Sequence, residues 1–140
     1  MRIFNTYGPR MHPNDGRVVS NFIVQALRGE DITIYGDGTK SRDFTYIQDI
    51  VQANVKAMDK GTGEFNIGGG YNITVLQLAE KIIAATRSTS KITYENAVKG
   101  DAEHTSANIT KAAKELGWIP KTPLDEGLEI YKKWIQQYQL

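Results

Sequence analysis

The sequence contains no cysteine. Disulfides, thiolate-held metals and thiol nucleophiles are thereby excluded. Histidine is scarce: His12 and His104 stand alone, and neither has a partner at metal-ligand spacing. No apolar run approaches the roughly 18 residues a membrane span requires, and no signal-peptide pattern opens the chain. An excess of one charge is missing too. Seventeen Lys and Arg balance sixteen Asp and Glu, for a net charge of +1. That balance supplies no field for nucleic acid or an anionic membrane. Catalytic signatures are absent as well. There is no Walker A loop and no GxGxxG, since the triplet Gly68-Gly69-Gly70 lacks the spacing. No serine lies in a GxSxG elbow. No tyrosine is followed by a lysine four residues on. These absences point to a soluble, cytoplasmic protein that offers binding chemistry without an evident catalytic constellation.

What is present is an ordinary globular composition. Of 140 residues, 40% are hydrophobic and 24% charged, enough for one domain with a proper core. Met1 leads at once into a strand pattern over 2–7, which Gly8-Pro9 stops. A turn-rich loop, His12 to Gly16, precedes a helix over 17–28 whose apolar rows are Val18, Phe22, Ala26 and Val19, Ile23, Leu27. Gly29 fits the left-handed position past its end. Residues 32–35 read as a strand, 42–46 as extended. A second helix is marked by Ile47, Ile50, Val51, Val55 and Met58 and ends near Gly61. Residues 64–67 form a strand. Thr74 and Gln77 spell a capping box, with Ile73 and Leu78 as its hydrophobic staple, and the buried stripe is Val75, Leu76, Ala79, Ile82 and Ile83. Residues 91–95 are a strand. A fourth helix is expected from N-cap Asn108 to Gly117. A fifth starts with Thr122 as N-cap and Pro123 at the first helical position, its face being Leu124, Leu128, Tyr131, Ile135 and Tyr138. Strands alternating with helices make an α/β class.

Binding candidates cluster in the polar loops. Arg17 opens a helix, where backbone N–H groups and the dipole favour an anion. Arg42 follows a glycine-rich turn and has the fork to hold phosphate. Asp101, after Gly100, has the acceptors for sugar hydroxyls. Tyr35 fits a core edge or the wall against a flat base equally well. Asp37 and Asp43 read as turn or cap residues.

Taken together, six segments resemble one family, the extended short-chain dehydrogenase/reductases that modify nucleotide sugars. The run Arg2-Ile3-Phe4-Asn5-Thr6-Tyr7-Gly8-Pro9-Arg10 is similar to its R-x-F-N-x-Y-G-P-R strand and loop. Tyr35-Gly36-Asp37-Gly38 through Arg42-Asp43-Phe44 is similar to Y-G-D-G-x-x-x-R-D-F, and Phe65-Asn66-Ile67-Gly68 to Y/F-N-I-G. Gly100-Asp101 with His104, then Ile109-Thr110-Lys111-Ala112 and Leu116-Gly117-Trp118, resemble its tail. The motifs keep family order along the chain.

The resemblance implies the C-terminal part of an extended fold: the last Rossmann strands, at 2–7 and 64–67, plus a mixed α/β substrate domain. Residues 1–140 would form a single substrate-binding region, with the N-terminal NAD-binding part absent. It implies no catalytic residue in these 140. It places Asn5 on the nucleotide sugar and Phe4 near the nicotinamide of NAD. Arg17 and the Val18 backbone would meet the diphosphate, Thr33 and Tyr35 the uracil, and Val75 the nucleotide. Arg42 would take diphosphate or lie near the sugar, and Asp101 would hold ribose hydroxyls. Epimerase members carry an arginine three residues before that aspartate; here Val98 stands instead, and Lys99 beside it is a point charge without a fork. Residues 15–22 look like UDP-glucuronate decarboxylases, whereas 42–44 and 100–105 look like UDP-hexose 4-epimerases. Both reactions begin by oxidising the sugar at C4 to a 4-keto intermediate. The partner implied is a UDP-sugar, with NAD belonging to the full enzyme and not held by this chain alone. A different class stays open: a free-standing, non-catalytic UDP-sugar binding module or assembly domain. Unpaired strand edges would also invite association with a second copy.

Overall fold

Each strand pair joins segments far apart in sequence, so the chain is tied together by short, long-range ladders. The computed structural model describes residues 1–138. β1 (Arg2–Ile3) runs parallel to β6 (Asn66–Ile67), in register Arg2 to Asn66. β2 (Thr6–Tyr7) runs parallel to β5 (Thr45–Tyr46). β3 (Ile32–Tyr35) runs parallel to β8 (Ile92–Glu95), and β4 (Ser41–Arg42) pairs antiparallel with β7 (Ile73–Thr74). The expected strand over 2–7 is therefore two strands. The break falls at Phe4 and Asn5, because β1 and β2 turn to different partners.

Helix α1 (Val18–Leu27) buries Val19, Phe22, Ile23 and Ala26, while Val18 and Leu27 are half-buried beside that core. Gly29 follows its end with φ of 71°, a left-handed conformation that glycine adopts without a Cβ penalty. Helix α3 (Val75–Thr86) starts as expected. Thr74 Oγ1 accepts from Gln77 N, and Gln77 Oε1 accepts from Thr74 N. Helix α4 (Leu124–Gln136) presents Leu124, Leu128, Tyr131 and Ile135 to the same core. Tyr138 lies beyond its last turn and is half-exposed, its ring tilted at 52° against Trp134 instead of buried.

A second core gathers Ile50 and Ala53 of α2 (Ile47–Lys60) with Phe65, Ile67, Ala112, Leu116 and Trp118. Val51, Val55 and Met58, which mark this helix in the sequence, are exposed, and Ile50 and Ala53 are its buried apolar residues. The fourth helix differs in form. After Thr110 and Lys111, residues Ala112–Leu116 make a π-helical turn, closed by Gly117 in the left-handed region. Ala112 and Leu116 both reach the second core from this turn. Asn108 Oδ1 caps only Thr110 N. Nor is Thr122 the N-cap of α4. Its N–H donates to Asp49 Oδ2, and Pro123 takes the cap position. Asp49 also accepts the Trp118 Nε1–H on its backbone oxygen, at 2.9 Å, pinning α2 to the C-terminal segment.

Candidate functional site

Three structural devices place the candidate residues. On β3, Ile32 and Ile34 point into the core at 0% exposure, so the period-two alternation turns Thr33 and Tyr35 outward together. Helix α1 begins at Val18, directing the positive end of its dipole toward the same space. α3 begins at Val75, but its first amides are spoken for: Val75 N donates to Lys40 O and Leu76 N to Gly38 O. Gly38, at φ of 81°, allows that approach, since a Cβ there would press on Leu76. The free helix start is thus α1.

Around these elements lies a cavity of about 570 Å³, in the usual range for small-molecule sites. Asn5, Val18, Thr33, Tyr35, Arg42, Val75 and Asp101 all line it. Arg17 does not. It lines two neighbouring clefts, where its guanidinium meets Asp15 at 3.5 Å. Asp15 itself accepts from Arg17 N at 3.0 Å and from the Ser20 hydroxyl, bracing the turn that leads into α1 without capping the helix's first amides. Phe4 is half-buried at the end of β1, donating its N–H to Ile67 O, and lines no cavity described here.

Sequence reasoning missed one wall of the cavity. Asn21, Gln25 and Arg28 line it together with Val18. Their spacing, i, i+4 and i+7, puts them on one face of α1, opposite the buried stripe. The signal was present as a polar stripe. Gln25 Oε1 also accepts from Thr33 N at 3.4 Å, joining this wall to β3.

Arg42 is held from two sides. Nη1 donates to Ser41 O at 2.8 Å and Glu103 O at 3.3 Å, and Nη2 donates to Asp101 Oδ1 at 2.8 Å. Lys40 Nζ meets the other oxygen, Asp101 Oδ2, at 3.3 Å. Partial burial works to raise the Asp101 pKa. The Lys40 hydrogen bond and the Arg42 charge outweigh it and hold the carboxyl below its usual range. Val98 lines the cavity as well, and no arginine fork stands at that position.

Asp37 behaves as the turn residue expected, accepting from Thr39 N at 2.9 Å and Thr39 Oγ1 at 2.6 Å. Asp43 does not. It is wholly buried, and its carboxylate accepts from the N–H groups of Gly69, Gly70 and Ala107. Among the described residues no cation pairs with it. Burial raises its pKa, against the three backbone N–H bonds that work to lower it. Its own carbonyl oxygen accepts from Asn5 Nδ2 at 3.1 Å. Asp43 therefore fixes two cavity residues, its neighbour Arg42 and Asn5, to the glycine loop.

Residues 1–68 match the model of the NAD dependent epimerase/dehydratase family. Relatives extend the match to nearly the whole chain. UDP-glucuronic acid decarboxylase 4 of Arabidopsis thaliana is 42% identical over 137 residues, 97% of this chain and 31% of that protein. UDP-glucuronic acid decarboxylase 1 of Xenopus tropicalis is 44% identical over 128 residues, 91% of this chain and 30% of that protein. The crystal structure of UDP-glucose 4-epimerase from Thermotoga maritima with UDP-glucose superposes with a TM-score of 0.94 at 40% identity, covering 97% of this chain and 45% of that one. UDP-glucuronic acid 4-epimerase from Bacillus cereus, in complex with UDP-glucuronic acid and NAD, gives 0.89 at 34% identity, over 97% and 44%. The chain has the fold of the C-terminal part of these extended short-chain dehydrogenase/reductases. It spans about a third of the length of the curated relatives it matches.

The epimerase/dehydratase family name raises the question of a dinucleotide. These residues do not by themselves fit one. No strand here runs through a GxGxxG turn into a helix, and the one residue directed to it by resemblance, Phe4, offers an aromatic edge without a phosphate cradle. Among the described residues no group of three or more His, Asp or Glu could hold a metal ion. None of the described helices is long and apolar enough to cross a membrane.

Proposed function

We propose that residues 1–140 form the nucleotide-sugar-binding region of a UDP-sugar 4-epimerase or UDP-glucuronate decarboxylase. The observation that carries this is convergence. Seven residues assigned by motif to a nucleotide sugar, on six different elements or loops, line one cavity. Its chemistry suits such a ligand. Thr33 and Tyr35 offer a flat wall and backbone groups for a base. Asp101 offers acceptors for ribose hydroxyls, and Arg42 with the start of α1 offers positive charge for a diphosphate. Among the relatives, UDP-glucose and UDP-glucuronic acid are bound molecules, and UDP-glucuronic acid gives the decarboxylases their name. Arg17, outside this cavity and paired with Asp15, would reach the diphosphate only after a change of rotamer.

The same residues supply no proton-transferring Tyr/Lys pair and no dinucleotide cradle. The chain alone therefore binds without turning over, and the oxidation at C4 relies on protein outside these 140 residues. Assay with UDP-glucose or UDP-glucuronate and NAD+ tests this. Neither UDP-galactose nor UDP-xylose should form above background, and turnover would overturn it. Ligand-observed magnetic resonance with UDP tests the binding half. Saturable binding that weakens at least about tenfold in Arg42→Ala is expected, the loss of one charge-assisted contact. Binding indifferent to Arg42 would overturn the assignment.

A further inference from the structure

Residues 96–104 are exposed without exception, yet Val98 and Asp101 within this strap form part of the cavity wall. The strap's ends are tied to the body by backbone. Gly36 N donates to Glu95 O, Ser41 N to Glu103 O and Thr105 N to Ser41 O. Its middle is tied by one carboxylate. Asp101 gives one oxygen to Arg42 and the other to Lys40. The two cations differ in placement. Arg42 lines the cavity, whereas Lys40 stands outside its lining and approaches Asp101 from behind. The Lys40 side chain is only 12% exposed, its stem lying along the body and its ammonium reaching Asp101 Oδ2 at 3.3 Å and Asp101 O at 3.4 Å.

This arrangement creates a conflict. An anion that recruits the Arg42 guanidinium competes with Asp101 for Nη2, the group that now holds the carboxylate. With Arg42 as the only tether, ligand binding would release the wall meant to contact the ligand. We infer that Lys40 is a positioning residue that keeps Asp101 and the strap against the cavity when Arg42 is withdrawn to an anionic ligand. The inference rests on reading the cavity as a site for a diphosphate-bearing ligand. It also explains why two cations share one carboxylate. Either suffices to hold the strap, and only Arg42 is exchangeable.

The strap carries its own reporter, Lys99, a trypsin site whose cleavage rate follows the population of the locally opened strap. The 140-residue chain is compared with Lys40→Gln, Arg42→Gln and the double variant, following the 100–140 fragment by mass. Each single variant should change cleavage after Lys99 by less than about threefold and the double variant raise it by more than about tenfold, a non-additivity that simple loss of structure does not produce. Inorganic pyrophosphate, an anion without a ribose, should speed cleavage in Lys40→Gln while leaving the unsubstituted chain and Lys40→Arg unchanged. If Arg42→Gln alone opens the strap as far as the double variant does, or if the double variant leaves it closed, the inference is wrong. If the double variant opens it but pyrophosphate has no effect on Lys40→Gln, Lys40 retains its role and the reading of Arg42 as the anion ligand fails.

Discussion

Replacing Asp43 should cost far more stability than its place in a polar motif suggests. In Asp43→Ala the N–H groups of Gly69, Gly70 and Ala107 lose their acceptor together. Bonds to a charged acceptor contribute ~1.5–3 kcal/mol each, and a buried donor left unpaired costs ~1–3 kcal/mol. Relief of the carboxylate's own desolvation, several kcal/mol, works the other way. The net loss is about 3–5 kcal/mol, which for a chain of this size lowers the melting temperature by roughly 10–20 °C. Asp43→Asn separates the contributions. An amide oxygen placed where Oδ2 stands keeps Gly70 and Ala107 but sets its NH2 against the Gly69 N–H. That variant should lose only about 1.5–3 kcal/mol. Urea denaturation followed by circular dichroism measures both. Losses below about 1 kcal/mol in both variants would show that water or a shifted loop satisfies these amides, refuting the role assigned to the carboxylate.

Other outcomes follow from the same geometry. Thr74→Ala should cost about 1 kcal/mol, because Gln77 N loses its Oγ1 acceptor while the bond from the residue-74 N–H to Gln77 Oε1 stays, as read from the denaturation midpoint. Gly127→Ala should cost at least about 2 kcal/mol, since its Cβ would overlap the Tyr7 hydroxyl and ring inside the first core. Lys81→Ala should move stability by less than about 0.5 kcal/mol, its partner Asp125 being largely exposed. The strap should also loosen in acid. Asp101 titrates below its unfolded value, so the latch is intact above about pH 4 and is lost as pH falls through the lower folded pKa. Backbone relaxation of residues 98–102 from about pH 6 to about pH 3 reads this, and an unchanged strap would count against the latch.

Much of this was legible in the sequence where a local rule and the packing agree. Thr74 with Gln77 wrote the start of α3, and Ile32 and Ile34 alternated with the two residues that face the cavity. It was less legible where partners distant in sequence decide. Nothing local at Phe4 and Asn5 shows that β1 and β2 pair with segments 64 and 39 residues on. Asp43 and Asp49 look like surface carboxylates until the amides they meet, of Gly69, Gly70 and Ala107 and of Thr122, are brought in from other segments. Nothing in the Asn108 signal shows that Ala112–Leu116 form a π-helical turn against the second core. At the site, short motifs pointed to seven lining residues, while Asn21, Gln25 and Arg28 required reading α1 by its polar face. Lys40 required seeing both oxygens of Asp101 at once.

A UDP-sugar seated in this cavity must perturb the backbone that lines it, so the isotope-labelled chain is titrated with UDP while its amide signals are followed. Saturable shifts are expected at Val18, Thr33, Tyr35, Val75 and Asp101, with the amides of the second core, such as Ile67 and Leu116, unmoved. Shifts that fail to saturate, or that gather away from this cavity, would contradict that seating.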